Sequence, residues 1–104
     1  MSDKEVMERQ GRRELRGSIL RTAHIVYAEG GRVTLDNFRH VAGKHTWTLA
    51  QVTQEVRYLA EKGYLEEHKI LRDARDDEPP IVYSLTARGV DLLNGDLTDD
   101  AIEL

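Results

Sequence analysis

Apolar residues recur at helical spacing over residues 13–29. Successive members lie three or four positions apart, as on one face of an amphipathic helix: Leu15, Ile19, Ala23 and Val26. Gly30-Gly31 follows, and glycine adopts without strain the left-handed conformation that ends many helices. Gly11 lies ahead of this pattern and interrupts any helix there, so we expect residues 1–12 to be a frayed arm or a short separate helix.

Two further helical patterns follow, and the second of them is the clearer. Residues 35–42 predict a short helix capped by Thr34 or Asp36. Residues 48–62 predict a third helix, because Thr48 and Gln51 have the Thr-x-x-Gln form of a capping box. The inward face of this third helix is expected to carry apolar residues at spacings of three and four: Leu49, Val52, Val56 and Leu59.

The hydrophobic period changes after Gly63, from that of helices to that of extended strands. Residues rich in β-formers predict one strand over 64–71 and its partner over 81–85. The polar, proline-ended stretch 72–80 between them is expected to be a loop. A helical first part and a paired-strand second part predict an α+β fold.

The remaining segments are short. Residues 32–35 have room for only a short strand or an extended connection, and Thr86 is expected to cap a last short helix that ends at Asn94-Gly95. We expect residues 13–95 to form one domain and the acidic tail 96–104 to be mobile. The predicted core consists of Leu15, Ile19, Val26, Phe38, Val41, Val52, Val56, Leu59, Leu65 and Leu85.

Composition narrows the class of protein. The 104 residues are 39% hydrophobic and 33% charged, which is ordinary for one globular domain. The absence of cysteine excludes disulfides, cysteine nucleophiles and thiolate metal sites. No apolar run approaches the roughly 20 residues needed to span a bilayer, and the first residues lack the apolar centre of a secretory signal. We therefore expect a cytoplasmic protein of bacterial or phage type.

The net charge of −4 is unevenly distributed along the chain. Residues 1–63 carry 11 basic and 8 acidic residues, a balance of +3, whereas 64–95 carry 4 and 7. The tail 96–104 carries four acidic residues and no basic one. Because nucleic-acid affinity depends on local charge, this composition permits DNA binding by the first two-thirds of the chain, although a balance of +3 is small.

The order helix, short strand, helix, helix, strand, loop, strand resembles that of a winged helix-turn-helix domain. Residues 56–66 (VRYLAEKGYLE) are similar to a recognition helix that runs into the first wing strand. Residues 83–93 (YSLTARGVDLL) are similar to the closing strand and helix of MarR-, PadR- and ArsR-like regulators, and the chain also resembles small winged-helix proteins of Mu-like phages. The resemblance covers residues 13–95. It implies a three-helix core, a two-stranded β wing with room for a short third strand, and a homodimer that binds double-stranded DNA.

In such a domain the third helix enters the major groove of DNA. Glutamine can pair with adenine and arginine with guanine through two hydrogen bonds each, so the resemblance implies base contacts by Gln51, Gln54 and Arg57. Tyr58 lies on the same predicted outward face and is included in the candidate DNA-binding surface. The alternative is that these residues are only the solvated face of an amphipathic helix.

Phosphate contacts are expected beside the start of the third helix, where free backbone amides attract anions. The candidates there are Lys44, His45, Thr46 and Thr48. Arg72 and Arg75 are candidates in the wing loop, although the acidic residues of 73–78 share that loop and repel phosphate. Trp47 is expected to be a partly buried core residue.

Enzymatic chemistry is not indicated. The four histidines show no paired metal-ligand spacing apart from the loose spacing of His40 and His45, and the acidic run 73–78 is expected to be a flexible stretch rather than a fixed acid and base pair. We therefore expect no catalytic residue, no metal and no cofactor. Two functions remain open: a sequence-specific DNA-binding protein, such as a small transcriptional regulator, or a protein-interaction module on the same scaffold, such as a phage accessory or assembly component that does not bind DNA.

Overall fold

The computed structural model describes the backbone of residues 3–41, 47–70 and 81–104, and the side chains of the same residues except 3–7 and 41. Within these ranges the chain forms four α-helices and three short strands. In chain order they are α1 (Asp3–Ile25), β1 (Val33–Thr34), α2 (Leu35–Val41), α3 (Leu49–Glu61), β2 (Leu65–Lys69), β3 (Ile81–Leu85) and α4 (Ala87–Asn94). The fold is therefore α+β, as the sequence predicts.

The three strands form one antiparallel sheet in the order β1-β3-β2. Val33 of β1 pairs with Tyr83, and Leu65 of β2 pairs with Leu85, so β3 is the central strand. The short strand that the sequence allows at 32–35 is present, and it joins the sheet next to the last strand in the chain. This element order and sheet are compatible with a winged-helix-like fold.

The helices and one face of the sheet share a hydrophobic core. Its buried members come from every helix and strand and from the C-terminal tail: Leu15, Ile19, Leu20, Ala23, Val33, Phe38, Val52, Val56, Leu59, Tyr64, Leu65, Tyr83, Leu85, Leu92 and Ile102. Trp47 packs half-buried against this core, as expected. One inward assignment was wrong, because Leu49 is 45% exposed, and Val26 packs against the core but is only half-buried. Val41 has no described side chain.

The first helix differs most from the prediction. It begins at Asp3, so residues 3–12 continue α1 and are not a separate arm. A glycine inside a helix costs about 1 kcal/mol relative to alanine, yet Gly11 does not break this one. A Cβ at residue 11 would lie 3.3 Å from the ring of Trp47, so the glycine lets the indole pack close to the helix. The helix also ends early, at Ile25, and one turn of 3₁₀ helix, Tyr27–Glu29, follows it.

The predicted caps at Thr34, Thr48 and Thr86 are confirmed, whereas the predicted end of the second helix at residue 42 lies outside the described residues. Thr34 Oγ1 accepts from the amide of Asn37, and Thr86 caps α4 by accepting from the amide of Gly89. Gly30 (φ 67°) follows the 3₁₀ turn and Gly95 (φ 84°) follows α4, both in the left-handed conformation. These positions could be predicted because caps depend on residues adjacent in sequence.

The expectation of a mobile C-terminal tail was wrong. We call residues 96–104 the C-terminal strap, because they fold back onto α1. Ile102 is only 6% exposed and joins the core, and the amide of Glu103 donates to the carbonyl oxygen of Arg13 at 3.0 Å. Composition suggested mobility, but a buried apolar side chain and a backbone hydrogen bond hold the strap in place.

Candidate nucleic-acid interface

The outward face of α3 is open to solvent. Together with the half-buried Thr53 and Tyr58, its exposed side chains line a shallow depression along the helix: Leu49, Ala50, Gln54, Arg57 and Glu61. The opposite face carries Val52, Val56 and Leu59, which are fully buried. Core packing therefore fixes which side of α3 faces solvent.

Gln54 and Arg57 are the predicted base readers that remain available. Both are exposed, and neither makes a hydrogen bond or ion pair with any residue that the structure describes. Arg57 lies where α3 meets the sheet, close enough to Tyr83 to influence its hydroxyl. Burial raises the pKa of Tyr83, Glu67 raises it further, and Arg57 lowers it in part. The guanidinium of Arg57 thus lies beside the sheet and remains free of hydrogen bonds and ion pairs to the described residues.

Gln51 has a structural task that the base-reading hypothesis did not include. Its Oε1 accepts from the backbone amide of Thr48 at 2.9 Å, while Thr48 Oγ1 accepts from the amide of Gln51 at 3.2 Å. This is the capping box that the sequence predicts. A two-point contact with adenine needs the same Oε1 as acceptor. Gln51 would therefore have to release the start of α3 in order to read a base in that way.

Tyr58 is also engaged within the molecule. The guanidinium of Arg16 lies 4.0 Å from the centre of its ring, and Lys62 Nζ lies 5.8 Å away, both over the aromatic face. The side chain is half-buried rather than fully outward. Tyr58 thus forms the floor of the depression beside Gln54 and Arg57.

The phosphate-binding candidates divide into two groups. Lys44, Thr46, Arg72 and Arg75 lie outside the described residues, as does His45. Thr48 is described, and its hydroxyl caps α3. The described outward face of α3 carries one cation, Arg57, and one anion, Glu61, so its own charge is balanced.

The inward face of α3 holds a charged residue that the sequence reasoning missed. Glu55 is only 2% exposed, and its Oε2 accepts from Arg16 Nε of α1 at 2.6 Å. Arg16 Nη1 also donates to the carbonyl oxygen of Ala101 in the strap at 3.0 Å. The available signal was position: Glu55 is three residues after Val52 and four before Leu59, so it belongs to the buried face. Its side chain therefore holds α3 against α1 and is not part of the outward surface.

Neither a metal site nor a membrane-spanning helix is found among the described residues. Residues 3–41, 47–70 and 81–104 contain no group of three or more histidine or acidic side chains that could hold a metal ion. No helix in those ranges is both long and apolar enough to cross a membrane. Comparison with known protein families found no family model that matches the chain, and no curated protein matches it either.

Proposed function

We propose that the protein is a winged-helix domain that binds double-stranded DNA in a sequence-specific manner, as a small transcriptional regulator. The observation that supports this most is the open outward face of α3, on which Gln54 and Arg57 stand exposed and unengaged by any described residue. The preceding helix α2 and the sheet order β1-β3-β2 are consistent with α3 acting as a recognition helix between the core and the wing strands.

The roles follow from side-chain chemistry. Arg57 donates two hydrogen bonds to guanine, and Gln54 pairs with adenine in the major groove. The first amides of α3 contact phosphate, with further contacts from Lys44, Thr46, Arg72 and Arg75, whereas Thr48 contributes by capping the helix that presents those amides. Gln51 keeps α3 capped and touches the DNA at most with its free amide nitrogen.

A homodimer would present two copies of α3 to half-sites about 34 Å apart. Most apolar residues of α1 are buried within the domain's own core, but Ile25 is 75% exposed and Tyr27 40% exposed at the end of that helix. These two residues are the large apolar side chains of α1 and its following turn that the described structure leaves open to a second copy. Sedimentation of the wild type and of an Ile25→Asp variant tests this association.

DNA binding is tested by titrating labelled duplex DNA at two salt concentrations. The first duplex has the sequence upstream of the gene that encodes the protein, and the second has a random sequence. The Arg57→Ala variant should lose about 1–3 kcal/mol of specific affinity with little change on random duplex. Arg21→Ala is the matched control, since it removes an exposed arginine that has no described ion pair. Lys44→Ala should weaken binding to all sequences and lower the salt slope by about one unit.

The second candidate function is that of a protein-interaction module. It is favoured by the exposed Leu49 beside Ala50, and by the balanced charge of Arg57 and Glu61 on the same face. An apolar residue within a charge-neutral face suits a protein surface better than a phosphate backbone. If the wild type shows no salt-dependent binding to duplex at micromolar concentration, DNA binding is refuted, and this face becomes the first surface to test against protein partners.

A further inference from the structure

The C-terminal strap is seated on α1 by a close backbone contact. Gly17 of α1 has no side chain, and a Cβ at that position would collide with the carbonyl oxygen of Glu103. One turn earlier, the carbonyl oxygen of Arg13 accepts from the amide of Glu103 at 3.0 Å. Ile102, the neighbouring residue of the strap, is buried in the core of the domain. The strap therefore packs closely against α1 and does not simply lie on the surface.

Two acidic side chains of the strap reach cations on other elements. Asp99 Oδ2 lies 3.8 Å from Lys62 Nζ at the end of α3, and Glu103 Oε2 lies 3.8 Å from Arg13 Nη2. Asp99 also accepts from the hydroxyl of Tyr64 at 2.7 Å and from the amide of Ala101 at 2.9 Å. The strap thus places negative charge directly on two basic residues.

The strap forms no short hydrogen bond with the charged groups of these two cations. Both ion pairs are longer than a hydrogen bond, and Arg13 Nε is buried without a hydrogen-bond acceptor among the described residues. Arginine forms its strongest contacts when two parallel N–H groups face a carboxylate or a phosphate. Arg13 would therefore gain from exchanging Glu103 for a phosphate oxygen pair.

Lys62 lies next to the proposed DNA-binding surface, and Arg13 lies one turn of α1 from a residue that does. Lys62 stands over the ring of Tyr58, which lines the depression on α3. Arg13 lies on α1 one turn before Arg16, whose guanidinium stands over the same ring. Arg16 itself stays paired with the buried Glu55, so displacement of the strap would free Arg13 and Lys62 and would take from Arg16 only its hydrogen bond to the carbonyl oxygen of Ala101.

We propose that the strap is an autoinhibitory segment that pairs its acidic side chains with Arg13 and Lys62 and is displaced by the phosphate backbone of bound DNA. This inference rests on the proposed function and adds its regulation. The Arg13–Glu103 ion pair is exposed and contributes little to stability, whereas Asp99 is largely buried and accepts from Tyr64. Ile102 is the one residue of the strap in the buried class, so the segment can open locally, at the cost of these contacts, while the rest of the domain stays folded. DNA then replaces the acidic side chains at the two cations.

The test compares two doubly substituted full-length chains that change the net charge equally. Asp99→Asn with Glu103→Gln removes the two acids that face Lys62 and Arg13. Asp96→Asn with Asp100→Asn is the control, because both acids are exposed and make no ion pair within the described residues. Duplex affinity is measured at two salt concentrations, and exchange of the Glu103 amide hydrogen is followed with and without DNA. Melting curves verify that both variants are folded.

The proposal expects the first double variant, which lacks the two facing acids, to bind DNA about tenfold more tightly than the control at low salt. Its salt slope should match that of the control, since DNA displaces the strap from both variants and makes the same phosphate contacts. Added DNA should speed exchange of the Glu103 amide. Two results would overturn the strap proposal: an equal gain in duplex affinity in both variants, or a Glu103 amide that stays protected in the complex. The proposed function would still stand in either case if Arg57→Ala weakens binding. If neither the wild type nor any variant binds duplex, the proposed function fails and the strap proposal fails with it.

Discussion

The inward and outward faces of α3 differ in whether their side chains have partners within the protein. The inward face holds three fully buried apolar side chains and Glu55, each with a fixed neighbour. The outward face holds Gln54 and Arg57 with no partner among the described residues. Changes on the inward face should therefore alter stability, and changes to Gln54 and Arg57 should alter binding while leaving the melting temperature nearly unchanged.

The largest effect is expected where a charge would be left buried and unpaired. Arg16→Met removes the partner of Glu55, and breaking a buried pair in this way costs about 3–5 kcal/mol of unfolding free energy. We expect a loss at the lower end of that range, because Arg16 retains some exposure. Denaturant unfolding measures this loss. Adding Glu55→Leu should restore most of it, since apolar residues can replace a buried pair at little cost. A double variant as unstable as the single one would contradict this account.

A loss of similar size is expected at Leu59, which is fully buried in the core. Leu59→Ala should lower the free energy of unfolding by about 2–5 kcal/mol through lost burial and the cavity left behind. Leu49→Ala is the control on the same helix, and because Leu49 is 45% exposed it should cost far less. Unfolding in urea compares the two. Equal losses would mean that α3 is rotated relative to the described core.

Substitution of two glutamines on the exposed side of α3 should have different effects, on stability at Gln51 and on DNA binding at Gln54. Gln51→Ala removes half of the capping box, which should cost about 1 kcal/mol of stability. Gln54→Ala should leave stability within about 0.5 kcal/mol, as for surface changes that break no contact, and should weaken only DNA binding. Thermal melts and duplex titrations of both variants provide the comparison. A Gln54 variant that melts early without loss of affinity would remove Gln54 from the proposed interface.

The smallest effect concerns the pH dependence of the strap. Burial raises the pKa of Asp99, but hydrogen bonds from Tyr64 and the Ala101 amide, with Lys62 and Arg16 nearby, lower it below its ordinary value of 3.8. A lowered folded-state pKa stabilises the docked strap above pH 3.8, and this contribution is lost as the pH falls through the folded value. Exchange of the Glu103 amide, corrected for its intrinsic rate, should therefore stay constant between roughly pH 7 and pH 5 and speed up only below about pH 4. Asp99→Asn should abolish that acid-side change, and loosening near neutral pH would point to a different group.

Most of the fold could be predicted from local signals. The capping pairs at Thr48 and Thr86 and the change of period at Gly63 depend on residues close in sequence, and the structure has the expected elements there. The two failures at the ends of the chain share one cause. Gly11 was expected to break a helix and the strap to be mobile, and both are decided by contacts with distant residues, Trp47 and Arg13.

The candidate site divides in the same way. The sequence identified the outward residues of α3, because the 3.6-residue period separates the two faces of a helix. It also predicted the capping box that engages Gln51, but it did not show that Arg16 and Lys62 cover Tyr58. Which polar side chains remain free depends on what other elements bring near them, and a pattern along one helix contains no such information.

The sequence by itself therefore determined the elements, most of their ends and the side of α3 that faces solvent, since backbone hydrogen bonding and hydrophobic period act over a few residues. The tertiary structure alone decided that Glu55 meets Arg16, that Gly17 seats the strap and that Asp99 faces Lys62. Those contacts join residues that lie far apart in the sequence. They form only after the core has fixed the distances between α1, α3 and the C-terminal strap.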